Sequence, residues 1–220
     1  MGRDRPGRRV PLIPVILTTR AAFPDAAPPL PSLPDLSAHG VGLRRAVASD
    51  LPPFAELYAR QRALEMLAMG WPEAARRAFL ADQFRLQHVH FVTHHSKADF
   101  WAVTRLDAPD APPVGRLYVD RVATPWSLVE IGLEPALQGR GLGSALIGWL
   151  QRMAARAPAG GLDLHVALDN PRAAALYQRL GFVDILSSAP THRRMLWRVP
   201  ERQEQRRARC PSAAPKGGQL

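Results

Sequence analysis

The chain has 220 residues, 46% of them apolar and 22% charged, which fits one globular domain with a substantial core and some additional segments. No apolar run approaches the roughly 20 residues that span a bilayer. The single cysteine, Cys210, excludes an intramolecular disulfide, so a cytoplasmic protein is expected. The net charge of +10 is almost wholly arginine, Lys97 and Lys216 being the only lysines. Such a surface suits acidic partners, but the aromatic interleaving of a single-strand platform is missing, so a polyanionic ligand is expected rather than nucleic acid.

Residues 1–40 are rich in proline and alanine and read as an extended or disordered extension. Arg8 and Arg9 ahead of Val10–Thr19 faintly resemble a secretory signal, but Pro11 and Pro14 interrupt the run, and none is expected. Gly42–Val47 reads as a strand. Ser49 and Asp50 offer a cap for a helix with Pro52 and Pro53 in its first turn and Leu51, Phe54, Leu57, Tyr58 and Met66 on one face. After the break at Gly70-Trp71-Pro72, a second helix is predicted to about Leu86, packing through Phe79, Leu80 and Phe84. His88, His90, His94 and His95 follow without cysteine or a helical glutamate partner, so they read as a surface connection and no metal is expected.

Phe100–Thr104 and Val114–Val122 read as a hairpin turning through Asp107–Pro113. Another strand is predicted from about Ser127 to Leu133. Leu142, Ala145, Leu146, Trp149, Leu150, Met153 and Ala154 then form one helical stripe. Leu162, Leu164, Val166 and Leu168 alternate as a strand, with His165 on its other face. Asn170 caps a helix that starts at Pro171 and ends at Gly181, and Phe182–Leu186 and Arg194–Arg198 close the domain as strands. Residues 200–220 read as a basic, disordered tail.

Between the strand ending at Leu133 and the helix starting near Leu142 lies Gln138-Gly139-Arg140-Gly141-Leu142-Gly143-Ser144. A helix N-terminus carries unpaired N–H groups and the positive dipole end, and glycines let an anion approach them. A phosphate-bearing ligand is therefore expected. The loop is not a Walker loop, because no Lys-Ser/Thr follows, and it lacks the order of a dinucleotide fingerprint.

The Gln-x-x-Gly-x-Gly pattern at Gln138–Gly143, together with Asn170-Pro171-Arg172-Ala173-Ala174-Ala175-Leu176-Tyr177 and Gly181-Phe182, closely resembles the GNAT superfamily of acetyl-CoA-dependent N-acyltransferases. The resemblance covers roughly Val41–Val199, and Gly115-Arg116-Leu117-Tyr118-Val119 is similar to the third strand of a bacterial branch. It implies an α/β domain at residues 41–199, with a mixed central sheet of about seven strands, flanking helices and a splayed strand pair for acyl-CoA. It further implies acetyl-CoA as cosubstrate, with its diphosphate on Gln138, Gly139, Arg140, Gly141, Leu142, Gly143 and Ser144. Its pantetheine arm would lie along Ile131, Gly132 and Leu133, with Asn170 in contact. By the same resemblance Tyr177 protonates the departing thiolate. Asn170 is also adequate as a helix cap alone, and Tyr177 as a buried aromatic.

The base stays open between Glu130, His165 and a water relay. Glu130 also reads as a structural partner of Arg116 or Arg121, and His165 as a sheet histidine. The expected activity is transfer of an acetyl group to a primary amine by direct attack, from a monomer or homodimer. A longer-chain acyltransferase and a non-catalytic acyl-CoA-binding module are the alternatives. The acceptor is not legible.

Overall fold

The structure is a computed structural model that describes residues 22–24, 32–186 and 189–200. The apolar run at Val10–Thr19, Cys210 and the tail beyond residue 200 lie outside the described residues, as does most of the N-terminal extension. Seven strands form one sheet: β1 (Val41–Arg45), β2 (Asp99–Arg105), β3 (Gly115–Asp120), β4 (Trp126–Leu133), β5 (Gly161–Ala167), β6 (Val183–Ile185) and β7 (His192–Arg198), in the order β1-β2-β3-β4-β5-β7-β6. Among the described strands only the β4–β5 pair is parallel. The mixed α/β architecture expected from the sequence is the one found.

Each face of the sheet carries its own apolar core. On one face lie α4 (Leu142–Arg156) and α5 (Pro171–Arg179). The stripe of α4 is buried at Leu142, Leu146, Ile147, Trp149, Leu150, Met153 and Ala154 against Leu117, Val119, Leu162, Leu164 and Val166. Each large apolar side chain so buried contributes about 1.5–3 kcal/mol. The other face is covered by α1 (Leu51–Gln61), α2 (Ala63–Leu67) and α3 (Glu73–His94), which bury Phe54, Tyr58, Met66, Leu80 and Phe84 against Phe100, Ala102 and Tyr118.

Several local expectations need correction. The second helix does not stop near Leu86 but runs to His94, because Phe84, His88, Phe91 and His95 continue its inward face at helical spacing. His88 is buried beside Phe84 and Phe23, His90 and His94 are exposed with ring centroids 4.2 Å apart, and His95 bonds Asp120 at 2.9 Å. The four histidines are thus not a surface connection. Phe79 does not enter the core; it stays exposed and meets Trp71 edge-on. Asp50 does not cap α1 through its side chain, since its carboxylate turns back to the Val47 N–H and the Arg44 guanidinium. Residues 32–40, read as part of the extension, hold Leu36 in the core and a 3-10 turn at Ser37–His39.

Candidate active site

The site is built where β4 and β5 part. They pair only at Trp126/Leu162, Ser127/Asp163 and Leu128/Leu164. The cause lies on the other edge of β4. Val119 faces Leu128 but Tyr118 faces Glu130, so Val129 is an extra residue, a bulge that bends the strand away from β5. Beyond it, the Glu134 N–H donates to Val114 O at 2.8 Å. Because bonded and non-bonded pairs alternate in an antiparallel ladder, the backbone groups of Ile131 and Leu133 point away from β3, into the gap. The Leu133 carbonyl there accepts from Gln61 Nε2 and Gln138 Nε2, each at 3.0 Å. These two bonds tie α1 and the glycine loop to the end of β4.

The loop follows directly. Gly139 (φ 74°) and Gly141 (φ 85°) occupy the left-handed region, where a side chain is strained. Gly141 is the N-cap of α4, and the first helical bond runs from the Ala145 N–H to Gly141 O at 2.9 Å. The N–H groups of Leu142, Gly143 and Ser144 therefore have no intrahelical acceptor. At Gly143 an added Cβ would make only an ordinary contact with α5, 3.6 Å from Leu176 Cδ2, so packing does not require glycine there. On the far side of the gap the Asn170 carbonyl oxygen Oδ1 accepts from the Ala173 N–H at 3.0 Å, the capping role its sequence position suggests.

Tyr177 on α5 is buried beside Phe182, with ring centroids 5.8 Å apart. Burial, and then the Glu130 carboxylate, push its phenol well above the ordinary tyrosine range. Glu130 projects from the opposite face of β4 to Ile131 and Leu133, where its Oε1 accepts from Arg116 Nη2 at 2.9 Å and Nε at 3.3 Å. Arg116 is 1% exposed, donates to Gln87 Oε1 at 3.0 Å, and lies over the rings of Phe84 and Tyr58. Gly132 makes room for this: an added Cβ would stand 3.2 Å from Gln61 Nε2 and 3.4 Å from Arg116 Nε. Arg121, the other partner considered for Glu130, bonds the buried Asp99 instead.

His165 is exposed. Leu162, Leu164 and Val166 face the α4–α5 core, so His165 projects to the same face of the sheet as Glu130, on the other parting strand. The structure thus brings the glycine loop, the open edge of β4, Tyr177 and Glu130 around one gap, with His165 on its rim. Sequence reading missed Gln61 and Gln87, which reach the site only through the packing of α1 and α3. Arg116 was one of the two partners expected for Glu130, and it is the one that bonds it.

Comparison with known proteins identifies the family of this fold. The model of the acetyltransferase (GNAT) family matches residues 60–182, more than half of the chain. The chain belongs to the GNAT family. This GNAT chain is 37% identical over 90 residues to mycothiol acetyltransferase of Nocardia farcinica (strain IFM 10152), a match covering 40% of the chain and 24% of that relative. It therefore spans about a quarter of the curated relative's length. Its fold is shared with the PaiA N-acetyltransferase of Thermoplasma acidophilum, solved in complex with coenzyme A (TM-score 0.53, 15% identity, 72% of this chain and 98% of that one). It is shared also with an acetyltransferase of Thermus thermophilus (TM-score 0.50, 20% identity, 72% and 96%). Among the described residues, no helix is long and apolar enough to cross a membrane.

Proposed function

We propose that this GNAT protein is an N-acetyltransferase that moves an acetyl group from acetyl-CoA to a primary amine of a small molecule or protein. The observation that carries the reading is the gap itself. A strand edge with unpaired backbone groups leads into a loop of unpaired amides, and a buried phenol lies across from it. In this reading the diphosphate sits on the amides of Gly139–Ser144. The pantetheine arm pairs with Ile131 and Leu133, and the Leu133 N–H polarises the thioester carbonyl.

The amine must first lose a proton, since an alkylammonium of pKa about 10.4 is neutral in only about one molecule in a few thousand at pH 7. Glu130 Oε1 is committed to Arg116, while Oε2 has no hydrogen bond among the described residues. Oε2 is thus the atom that receives the proton, directly or through water, with His165 as the rival base. The amine nitrogen then attacks the carbonyl carbon, gives up its second proton to water, and as the carbon–sulfur bond breaks the sulfur leaves as a thiolate. A phenol raised above its ordinary range remains protonated at neutral pH. Tyr177 therefore donates a hydrogen bond to the departing sulfur, whose own proton affinity, about that of an ordinary thiol near 8.5, is lower.

The test is release of coenzyme A thiol from acetyl-CoA by the full chain, across a panel of polyamines, amino acids and peptide N-termini. Amine-dependent release supports the reading. Acetyl-CoA binding with no release from any acceptor makes the protein a binding module, and faster release from longer acyl-CoAs makes it a longer-chain transferase.

A further inference from the structure

Residues 32–40 are anchored beside the N-terminus of α4. Leu36 is buried in the α4 core, Trp149 Nε1 donates to Ser32 O at 3.3 Å, and the Leu106 N–H donates to Gly40 O at 3.0 Å. The 3-10 turn Ser37–His39 is closed by Gly40, whose N–H donates to Ser37 O. This anchoring delivers His39 to the glycine loop: a Cβ added to Gly141 would stand 3.6 Å from His39 Cε1. Between the turn and the loop lies a cavity of about 200 Å³ lined by Ala38, His39, Leu137, Arg140 and Leu142. That is below the roughly 300–1,000 Å³ of a complete small-ligand site, so it accommodates one end group of a larger ligand.

The loop has two flanks. On the side of the parted strands, Arg172 of α5 comes within 2.9 Å of where a Gly139 Cβ would be. His39 and Arg140 hold the other flank. Neither Arg140 nor His39 has a carboxylate partner among the described residues, and the acidic group on the same segment, Asp35, is turned to the Ser37 N–H at 3.0 Å. A cofactor whose thioester lies in the gap and whose diphosphate lies on the loop carries its nucleoside onward past one of these flanks, and the cavity beside His39 and Arg140 opens on the second. The nucleoside of coenzyme A bears one further anionic group, the 3′-phosphate of its adenosine.

We propose that His39 and Arg140 bind that 3′-phosphate in the cavity, so that the segment before β1 is a specificity-determining part of the cofactor site. The inference rests on the acetyl-CoA reading above. Its test is calorimetric titration of the full chain with coenzyme A and with 3′-dephospho-coenzyme A. The wild type is expected to bind coenzyme A about tenfold more tightly, the size of one charge-assisted contact. His39→Ala and Arg140→Ala should each remove most of that preference, read as the ratio of the two affinities. A melting temperature unchanged from the wild type shows that each variant is folded. Should His39→Ala lose both ligands, His39→Gln supplies the comparison, with the same loss of preference expected. A wild type that does not distinguish the two ligands, or variants that keep its preference, overturns the proposal and leaves the acetyl-CoA reading standing. A wild type that binds neither ligand overturns both.

Discussion

The two sides of the gap, proposed above as the cofactor side and the acceptor side, are built on different principles. On the cofactor side the main chain does most of the work: two left-handed glycines, a run of open helix amides and a strand edge bent outward by one extra residue. On the acceptor side the work falls to side chains drawn from four elements, with Arg116 at the centre holding Glu130 and Gln87 between two aromatic rings. Backbone sites tolerate most side-chain changes but not changes of conformation. The side-chain cluster should have the opposite sensitivity.

Gly141→Glu attacks the backbone half directly. A carboxylate at φ 85° beside the open amides strains the turn, fills the space next to His39 and repels phosphate. Acetyl-CoA affinity should fall by more than about a hundredfold by calorimetry, and unchanged affinity would disprove the loop assignment. Glu130→Gln probes the other half. We expect kcat to fall about a hundredfold with acetyl-CoA affinity retained, whereas His165→Ala should cost less than a few-fold. The reverse ranking would transfer the base to His165.

Arg116→Met sharpens the contrast through stability rather than catalysis. It strands a largely buried carboxylate and should lower unfolding free energy by about 3 kcal/mol in urea. Adding Glu130→Gln should restore part of that loss, and additive losses would mean that the pair is not coupled. A smaller effect comes from the two deeply buried tyrosines, Tyr118 and Tyr177, whose phenols burial pushes upward. Below pH about 10 both are neutral, folded or unfolded, and contribute no pH dependence. Above it the unfolded chain loses phenolic protons that the folded chain keeps. Stability should then fall by up to about 1.4 kcal/mol per pH unit for each tyrosine. Tyr177→Phe should flatten that alkaline slope by one proton's share; an unchanged slope would show that the phenol ionises freely in the fold.

The same contrast explains what could be read in advance. Gly139, Gly141, Asn170 and Gly181 carry their structural meaning locally, through turn conformation, capping and helix termination, so spacing alone located the loop and the helix boundaries. The α4 stripe was equally legible because one uninterrupted apolar period decides it. The end of α3 was misplaced because histidine is not counted as apolar, although His88 packs as part of the core. Gln61 and Gln87 left no trace in the sequence, since their partners Leu133 and Arg116 lie far along the chain. His39 was hidden in a proline-rich stretch whose composition argues against order, yet Leu36 and Trp149 hold it in place.

The most direct test of the central claim is an experimental structure of the full chain with acetyl-CoA bound. The account predicts the diphosphate on the amides of Gly139–Ser144 and the thioester sulfur within about 3.5–4 Å of the Tyr177 hydroxyl. A cofactor seated elsewhere, or a sulfur well beyond reach of that phenol, would contradict it.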